Sequence, residues 1–193
     1  MMSVKVLILC FVVFSVVAGT ARAANPVVVV ETNMGSFKIE LFEDKAPGTV
    51  KNFLQYADDK HYDGTIFHRV IPTFMIQGGG FEPGMKEKKS RDPIKNESSN
   101  GLSNLKGTIA MARTGEPNSA TAQWYVNVKD NTFLDKAKAA DGVGYCVFGR
   151  VIEGLDVVDK IKAVDTDTVK SFENVPTKDV VIKSVKVVKE EKK

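Results

Sequence analysis

The sequence predicts a mainly β protein, a largely antiparallel sheet of about eight strands closed into a barrel and capped by two α-helices. Three observations predict it. Short runs rich in β-branched and aromatic residues recur along the chain, several of them alternating apolar with polar positions at the period of two expected of a half-buried strand. Two stretches carry the three-and-four apolar spacing of a helix. These two do not alternate with the strands one by one, as a parallel βαβ sheet would require.

Residues 1–23 stand apart from this pattern. Lys5 is the sole charge before an apolar run from Val6 to Val17, and Ala21-Arg22-Ala23 places small residues at signal-peptidase spacing, so this segment reads as a cleaved secretory signal. A dozen apolar residues fall short of the roughly 20 that span a bilayer as a helix, so no stable membrane association is expected after cleavage. Cleavage after Ala23 leaves 170 of the 193 residues, 24–193, as one domain ending in a short polar tail. Without Lys5 and Arg22, 25 basic residues face 24 acidic ones, which excludes the strong basic footprint of a nucleic-acid binder. Cys146 then has no partner for an intramolecular disulfide, and its place between Tyr145 and Val147 marks it as a buried, inert thiol.

Val27 to Thr32, a turn at Met34-Gly35, and the alternation Phe37, Ile39, Leu41 predict an opening hairpin. A helix follows, with Pro47 in its first turn and Val50, Phe53, Leu54 and Ala57 on one face. Phe67, Arg69 and Ile71 alternate with His68 and Val70 in a strand, Pro72 interrupts, and Phe74 to Gln77 makes a second strand that ends at Gly78-Gly79-Gly80. Residues 82–106, rich in Lys, Asn, Ser and Gly, form a long surface loop. Strands return at Thr108 to Ala112, Gln123 to Val128 and Tyr145 to Val151. A short helix spans about Leu155 to Ala163, with Lys160 and Lys162 at the negative end of its dipole, and a last strand covers Val180 to Val188. Asp165 and Asp167 are read as turn residues, too few to hold calcium.

The inventory of reactive groups is sparse. His61 and His68 stand in no metal-ligand spacing, and no nucleophile elbow, phosphate loop or dinucleotide fingerprint is present, so neither metal nor cofactor is expected. His68 lies on the opposite strand face from Arg69 and reads as a structural histidine. Arg69, in so apolar a run, is open to two readings. It is either a surface arginine paired with a carboxylate or a guanidinium held beside an apolar pocket that admits a neutral polar substrate. Chemistry that needs neither nucleophile nor cofactor fits best.

Five segments carry a resemblance over essentially the whole chain after residue 23. FHRVIPTFMIQGGGF (67–81), KGTIAMAR (106–113), NSATAQWYVNV (118–128), NTFLD (131–135) and YCVFGRVIEGLDVVD (145–159) resemble, in order, the signature segments of the cyclophilins, the peptidyl-prolyl cis/trans isomerases. The resemblance implies a cyclophilin-like barrel with a substrate groove on its outer face, and cofactor-independent rotation about X-Pro bonds. It implies that Arg69 polarises the prolyl nitrogen and that Phe74, Met75, Tyr125, Phe133 and Leu134 wall the proline pocket. Gln77 and Gln123 would hold substrate carbonyls, with Gln77 counted beside Arg69 as catalytic. Ala112 and Arg113 would pair with the extended peptide through their backbone.

Four positions depart from the residues typical of the family or of its better-known branches. Tyr125 stands for phenylalanine, adding a hydroxyl that needs a partner; Phe133 stands for tryptophan, so weak cyclosporin binding is expected; Tyr145 stands for a histidine in the groove, and Arg113 for asparagine. The last two resemble the bacterial branch, which with the signal implies a periplasmic, monomeric isomerase acting on proline-containing unfolded or extended chains of exported proteins. The rival expectation is a proline-segment binding or chaperone module with weak turnover. Asn96-Glu97-Ser98 is a formal glycosylation sequon.

Overall fold

The computed structural model describes residues 24–188, so the signal segment and the polar tail from residue 189 lie outside the described residues. The opening hairpin pairs β1 (Val27–Thr32) with β2 (Gly35–Leu41), and α1 (Pro47–Asp58) follows. Next come β3 (Phe67–Ile71), β4 (Met75–Gly78), the two-residue strands β5 (Phe81–Glu82) and β6 (Lys86–Glu87), β7 (Thr108–Met111) and β8 (Trp124–Asn127). The chain ends with β9 (Val147–Glu153), α2 (Leu155–Lys162), β10 (Thr166–Val169), β11 (Phe172–Pro176) and β12 (Ile182–Val187).

Eight strands form one curled antiparallel sheet in the order β12-β1-β2-β9-β7-β8-β4-β3. No ladder joins its two edges. They meet through one isolated bridge, Ile66 to Val181, and through the N–H of Phe67 on Val180 O (2.9 Å) and that of Ile182 on Thr65 O (2.8 Å). The continuous pairing of a fully closed barrel therefore stops between β3 and β12.

Both helices bury their apolar stripes in the core on the inner face of this sheet. Phe53 of α1 packs against the rings of Tyr62, Trp124 and Phe148 at centroid distances of 5.2, 5.8 and 5.4 Å. Val157, Val158 and Ile161 of α2 are buried in the same core. The start of α1 has no cap from its own N-cap residue, Ala46. Glu97, in the long loop, supplies it instead: its carboxylate accepts the N–H groups of Gly48 (3.1 Å) and Thr49 (2.8 Å) and the Thr49 hydroxyl (2.7 Å). The same tripeptide is committed on both sides, since Asn96 donates its amide to Gly144 O at 3.1 Å and Ser98 its hydroxyl to Val143 O at 2.6 Å. The amide that a glycan would occupy is thus a structural bond in the folded chain.

Three local expectations are corrected. The alternation in β3 is not strict, because the register shifts between Phe67 and Arg69: Phe67 pairs with Gly78 and Arg69 with Gln77, leaving His68 in a bulge. Phe67 and Val70 both enter the core while Arg69 points to the other face with Gln77. Residues 82–106 are not all loop: they hold β6, which pairs with β5 at the start of the stretch, and a 3-10 turn at Ser98–Asn100. Finally, Thr166 and Asp167 belong to the β10–β11 hairpin. β10 has no buried residue, so it carries no apolar alternation to detect, and the hairpin is anchored by Val175 against Ile66, Phe81 and Met85.

Candidate active site

The same strands that bury Trp124, Val126 and Ile76 inward turn the intervening residues outward. Met75 and Gln77 of β4 and Tyr125 of β8 thereby share the outer face, beside Ala110 of β7 and Val147 of β9. A cavity of about 240 Å³ opens there. Met75, Tyr125, Leu134 and Phe74 give it apolar walls, Ala112 and Tyr145 close one side, and Arg69, Gln77 and Arg113 supply its polar edge.

Nine of the eleven residues expected at the site line this cavity. Gln123 lines the adjoining groove of about 210 Å³, where Gln77 donates from Nε2 to its Oε1 at 2.9 Å. Phe133 stands at the rim, 56% exposed, stacked on Phe74 at 5.8 Å. The glycine run explains how these amides come so close. A Cβ on Gly80 would lie 2.5 Å from Cγ of Gln123, and Gly79, at φ +87°, would place one 2.9 Å from Nε1 of Trp124.

Arg69 is half-buried, with its guanidinium over the Phe74 ring at 5.9 Å. It forms no ion pair and no hydrogen bond among the described residues. The carboxylate-paired reading of this residue is therefore excluded, and its donors are left for something that enters the cavity. Arg113 is the opposite case. Its side chain is 3% exposed, and it bonds Gly144 O from Nε (3.2 Å), Thr114 O from Nη1 (3.0 Å) and Asp141 from Nη2, with its guanidinium 4.4 Å over the Tyr145 ring. Bonds from the Gly144 N–H and from Arg113 hold the Asp141 carboxyl far below the usual carboxylate range. Arg113 thus fixes the loop beside Tyr145. At the neighbouring position, Ala112 gives its N–H to Gln123 O at 3.0 Å.

The Tyr125 hydroxyl is not loose in the cavity. It donates to Asn104 Oδ1 at 2.9 Å, and burial pushes its ionisation well above the ordinary tyrosine range, so it stays a neutral donor. Asn104 is fully buried, and with Asp135, Asn127 and Asn131, none of which the sequence assigns a role at the site, it forms a network beneath the cavity. Burial raises the Asp135 carboxyl, but the bonds from Ser103 and Asn104 outweigh it and hold the group below its usual value. The signal that points to such a network is the tyrosine itself, a hydroxyl in an apolar floor that requires a partner. Elsewhere, burial pushes the Cys146 thiol up to about 11, so it is not a nucleophile at neutral pH. Among the described residues no group of three or more His, Cys, Asp or Glu is placed to hold a metal.

Comparison with known proteins shows the family. The family model described as cyclophilin type peptidyl-prolyl cis-trans isomerase/CLD matches residues 27–187. Peptidyl-prolyl cis-trans isomerase B of Escherichia coli strain K12 is 58% identical over 157 residues, covering 81% of this chain and 96% of that protein. Peptidyl-prolyl cis-trans isomerase A of Dickeya dadantii is 50% identical, covering 88% of each. A crystal structure of a Cryptosporidium parvum cyclophilin type peptidyl-prolyl cis-trans isomerase, in the presence of the dipeptide Ala-Pro, superposes with a TM-score of 0.73 at 26% identity, covering 85% of this chain and 99% of that one. Matched by that family model from β1 to β12, this protein, with its apolar outer-face cavity and an arginine at the edge that has no partner among the described residues, belongs to the cyclophilin-type peptidyl-prolyl cis-trans isomerases.

Proposed function

We propose that the chain catalyses rotation about X-Pro peptide bonds by binding the proline ring on Met75, Tyr125, Leu134 and Phe74 and donating from Arg69 to the prolyl nitrogen. The barrier to rotation, about 18–20 kcal/mol, comes from delocalisation of the nitrogen lone pair into the carbonyl. A donor that engages this lone pair in the twisted state weakens the double-bond character, and each 1.4 kcal/mol or so of such selective stabilisation is worth about tenfold in rate. The observation that carries the reading is the Arg69 guanidinium, beside an apolar cavity and without a partner among the described residues. Gln77 and Gln123 present amides to substrate carbonyls, and the carbonyl of Ala112 with the backbone of Arg113 offers an edge to an extended peptide.

The substrates on this reading are unfolded or extended exported chains, met by a monomeric enzyme in the periplasm after removal of residues 1–23. Cyclosporin binds weakly, because Phe133 offers no indole N–H. A binding module with poor turnover is the second reading, favoured by the tyrosine in the pocket floor. The bond from its hydroxyl to Asn104 weighs against it, since no orphaned polar group remains to spoil the pocket.

Isomerisation of an X-Pro peptide by wild type and Arg69→Ala, with peptide affinity measured on both, tests the proposal. The variant should lose about 100-fold in kcat, the scale of a single transition-state donor, with affinity largely kept. A folded variant with wild-type kcat overturns it.

A further inference from the structure

Asn104, Asn127, Asn131 and Asp135 lie beneath the cavity with no role assigned so far, and the last three each bond to Asn104, Asn131 through its backbone N–H. Asn104 is fully buried and sits one layer below the pocket floor, where no peptide in the cavity reaches it. Its Oδ1 accepts the Tyr125 hydroxyl at 2.9 Å and the Asn127 amide at 3.3 Å. Its own Nδ2 and N–H donate to Asp135 at 3.0 and 2.7 Å, and its carbonyl accepts the N–H of Asn131 at 2.7 Å. Asn131 in turn donates to Phe74 O at 2.8 Å and to Asn127 Oδ1 at 2.7 Å.

Each of these bonds ends on or next to a wall of the pocket. Tyr125 is the floor. Asp135 follows Leu134 directly, so fixing its carboxylate fixes the turn at Thr132–Leu134 that aims the leucine. Asn131 holds the backbone of Phe74, and Asn127 is tied on to β7 through the Thr108 hydroxyl at 3.0 Å. These walls border an open cavity, so the packing on them from the outer side, Phe133 on Phe74 and Tyr145 beside Tyr125, sets their spacing only in part. Directional bonds from below are what remain to set it, and a buried network whose members are mutually satisfied is rigid enough to do so.

We infer that Asn104 is a positioning residue for the proline pocket, holding the floor and two walls at the separation that grips the ring. The inference rests on the isomerase reading for its substrate. Arg69 lies on β3 and takes no bond from this network, so the two act on different quantities. Arg69 acts on the twisted state, whereas the pocket walls hold the ring alike before and during rotation, and loosening them raises KM without lowering kcat.

The test is Asn104→Ala, with KM, kcat and the calorimetric Kd for an X-Pro peptide measured at a temperature where circular dichroism shows the variant folded. KM and Kd should rise about tenfold while kcat stays within about threefold of wild type. Asp135→Asn, which keeps the shape of the side chain and weakens two of the network's bonds, should raise both about threefold and decides the matter if Asn104→Ala does not fold. Folded variants with lower melting temperatures but wild-type KM and Kd would make the network merely structural and overturn the inference. Should the wild type bind X-Pro peptide without turning it over, the isomerase reading fails, while Kd still judges the role of Asn104.

Discussion

On the inner face of β8, Trp124 and Val126 are fully buried; one residue along on the outer face, Tyr125 and Asn127 are buried to nearly the same degree. The neighbours differ. Trp124 meets Phe53, Tyr62 and Phe67 edge to face at 5.8, 6.3 and 5.6 Å, and its Nε1 has no hydrogen-bond partner among the described residues. Tyr125 and Asn127 instead sit among amides and a carboxylate, and their side-chain polar groups are paired. An inner face can rely on close packing because every side of it is filled. A face that must keep a cavity open lacks that option, and bonds with direction take over.

Substitutions on the two faces should therefore fail in different ways. The largest effect is expected from Trp124→Ala, which empties the centre of the inner core and should cost about 3–5 kcal/mol of stability in chemical denaturation. A cost below about 1 kcal/mol would mean that the inner face does not depend on close packing.

The bulge between the faces has its own signature. His68 is 5% exposed, its ring lies 4.6 Å from that of Phe81, and its Nδ1 has no partner among the described residues. Burial, and then the nearby Arg69 charge, push its pKa from 6.5 down to about 4. The folded state thus holds a neutral imidazole where the unfolded chain takes up a proton. The resulting penalty is absent above about pH 6.5 and grows as pH falls towards 4, reaching about 3 kcal/mol. Denaturation of wild type and His68→Gln across that window should show the steeper decline in wild type. Parallel curves would mean that His68 is protonated in the folded protein.

What sequence alone revealed follows the same division. The inner face and the strands around it were legible, because packing leaves a period in the apolar residues: β1, β2, α1 and α2 lie within a residue or so of where periodicity puts them. The bulge at His68 was not, since one extra residue shifts a register without changing composition. Most of the cavity lining is legible only through the resemblance, because alternation assigns residues to a strand face without saying that the face holds a pocket. Asn104 escaped because a polar residue in a polar loop is the pattern of a solvated turn. Its burial is set by Tyr125 and Asp135, 21 and 31 residues further along the chain.

The finest comparison deletes the same atom on each side of the sheet. Tyr62 lies in the inner core and donates its hydroxyl to Ala122 O at 3.2 Å; Tyr125 donates to Asn104 at 2.9 Å from the outer face. Either change to phenylalanine removes one buried hydrogen bond and should cost about 1 kcal/mol of stability. Only Tyr125→Phe should also weaken binding of an X-Pro peptide, by about threefold, because only that hydroxyl ties the floor of the pocket to the network below it. Tyr62→Phe should leave affinity at the wild-type value, since its bond ends on a backbone carbonyl inside the core. If the two variants lose stability equally and neither loses affinity, the bonds beneath the pocket support the fold alone, and the spacing of its walls must come from the backbone of β4 and β8.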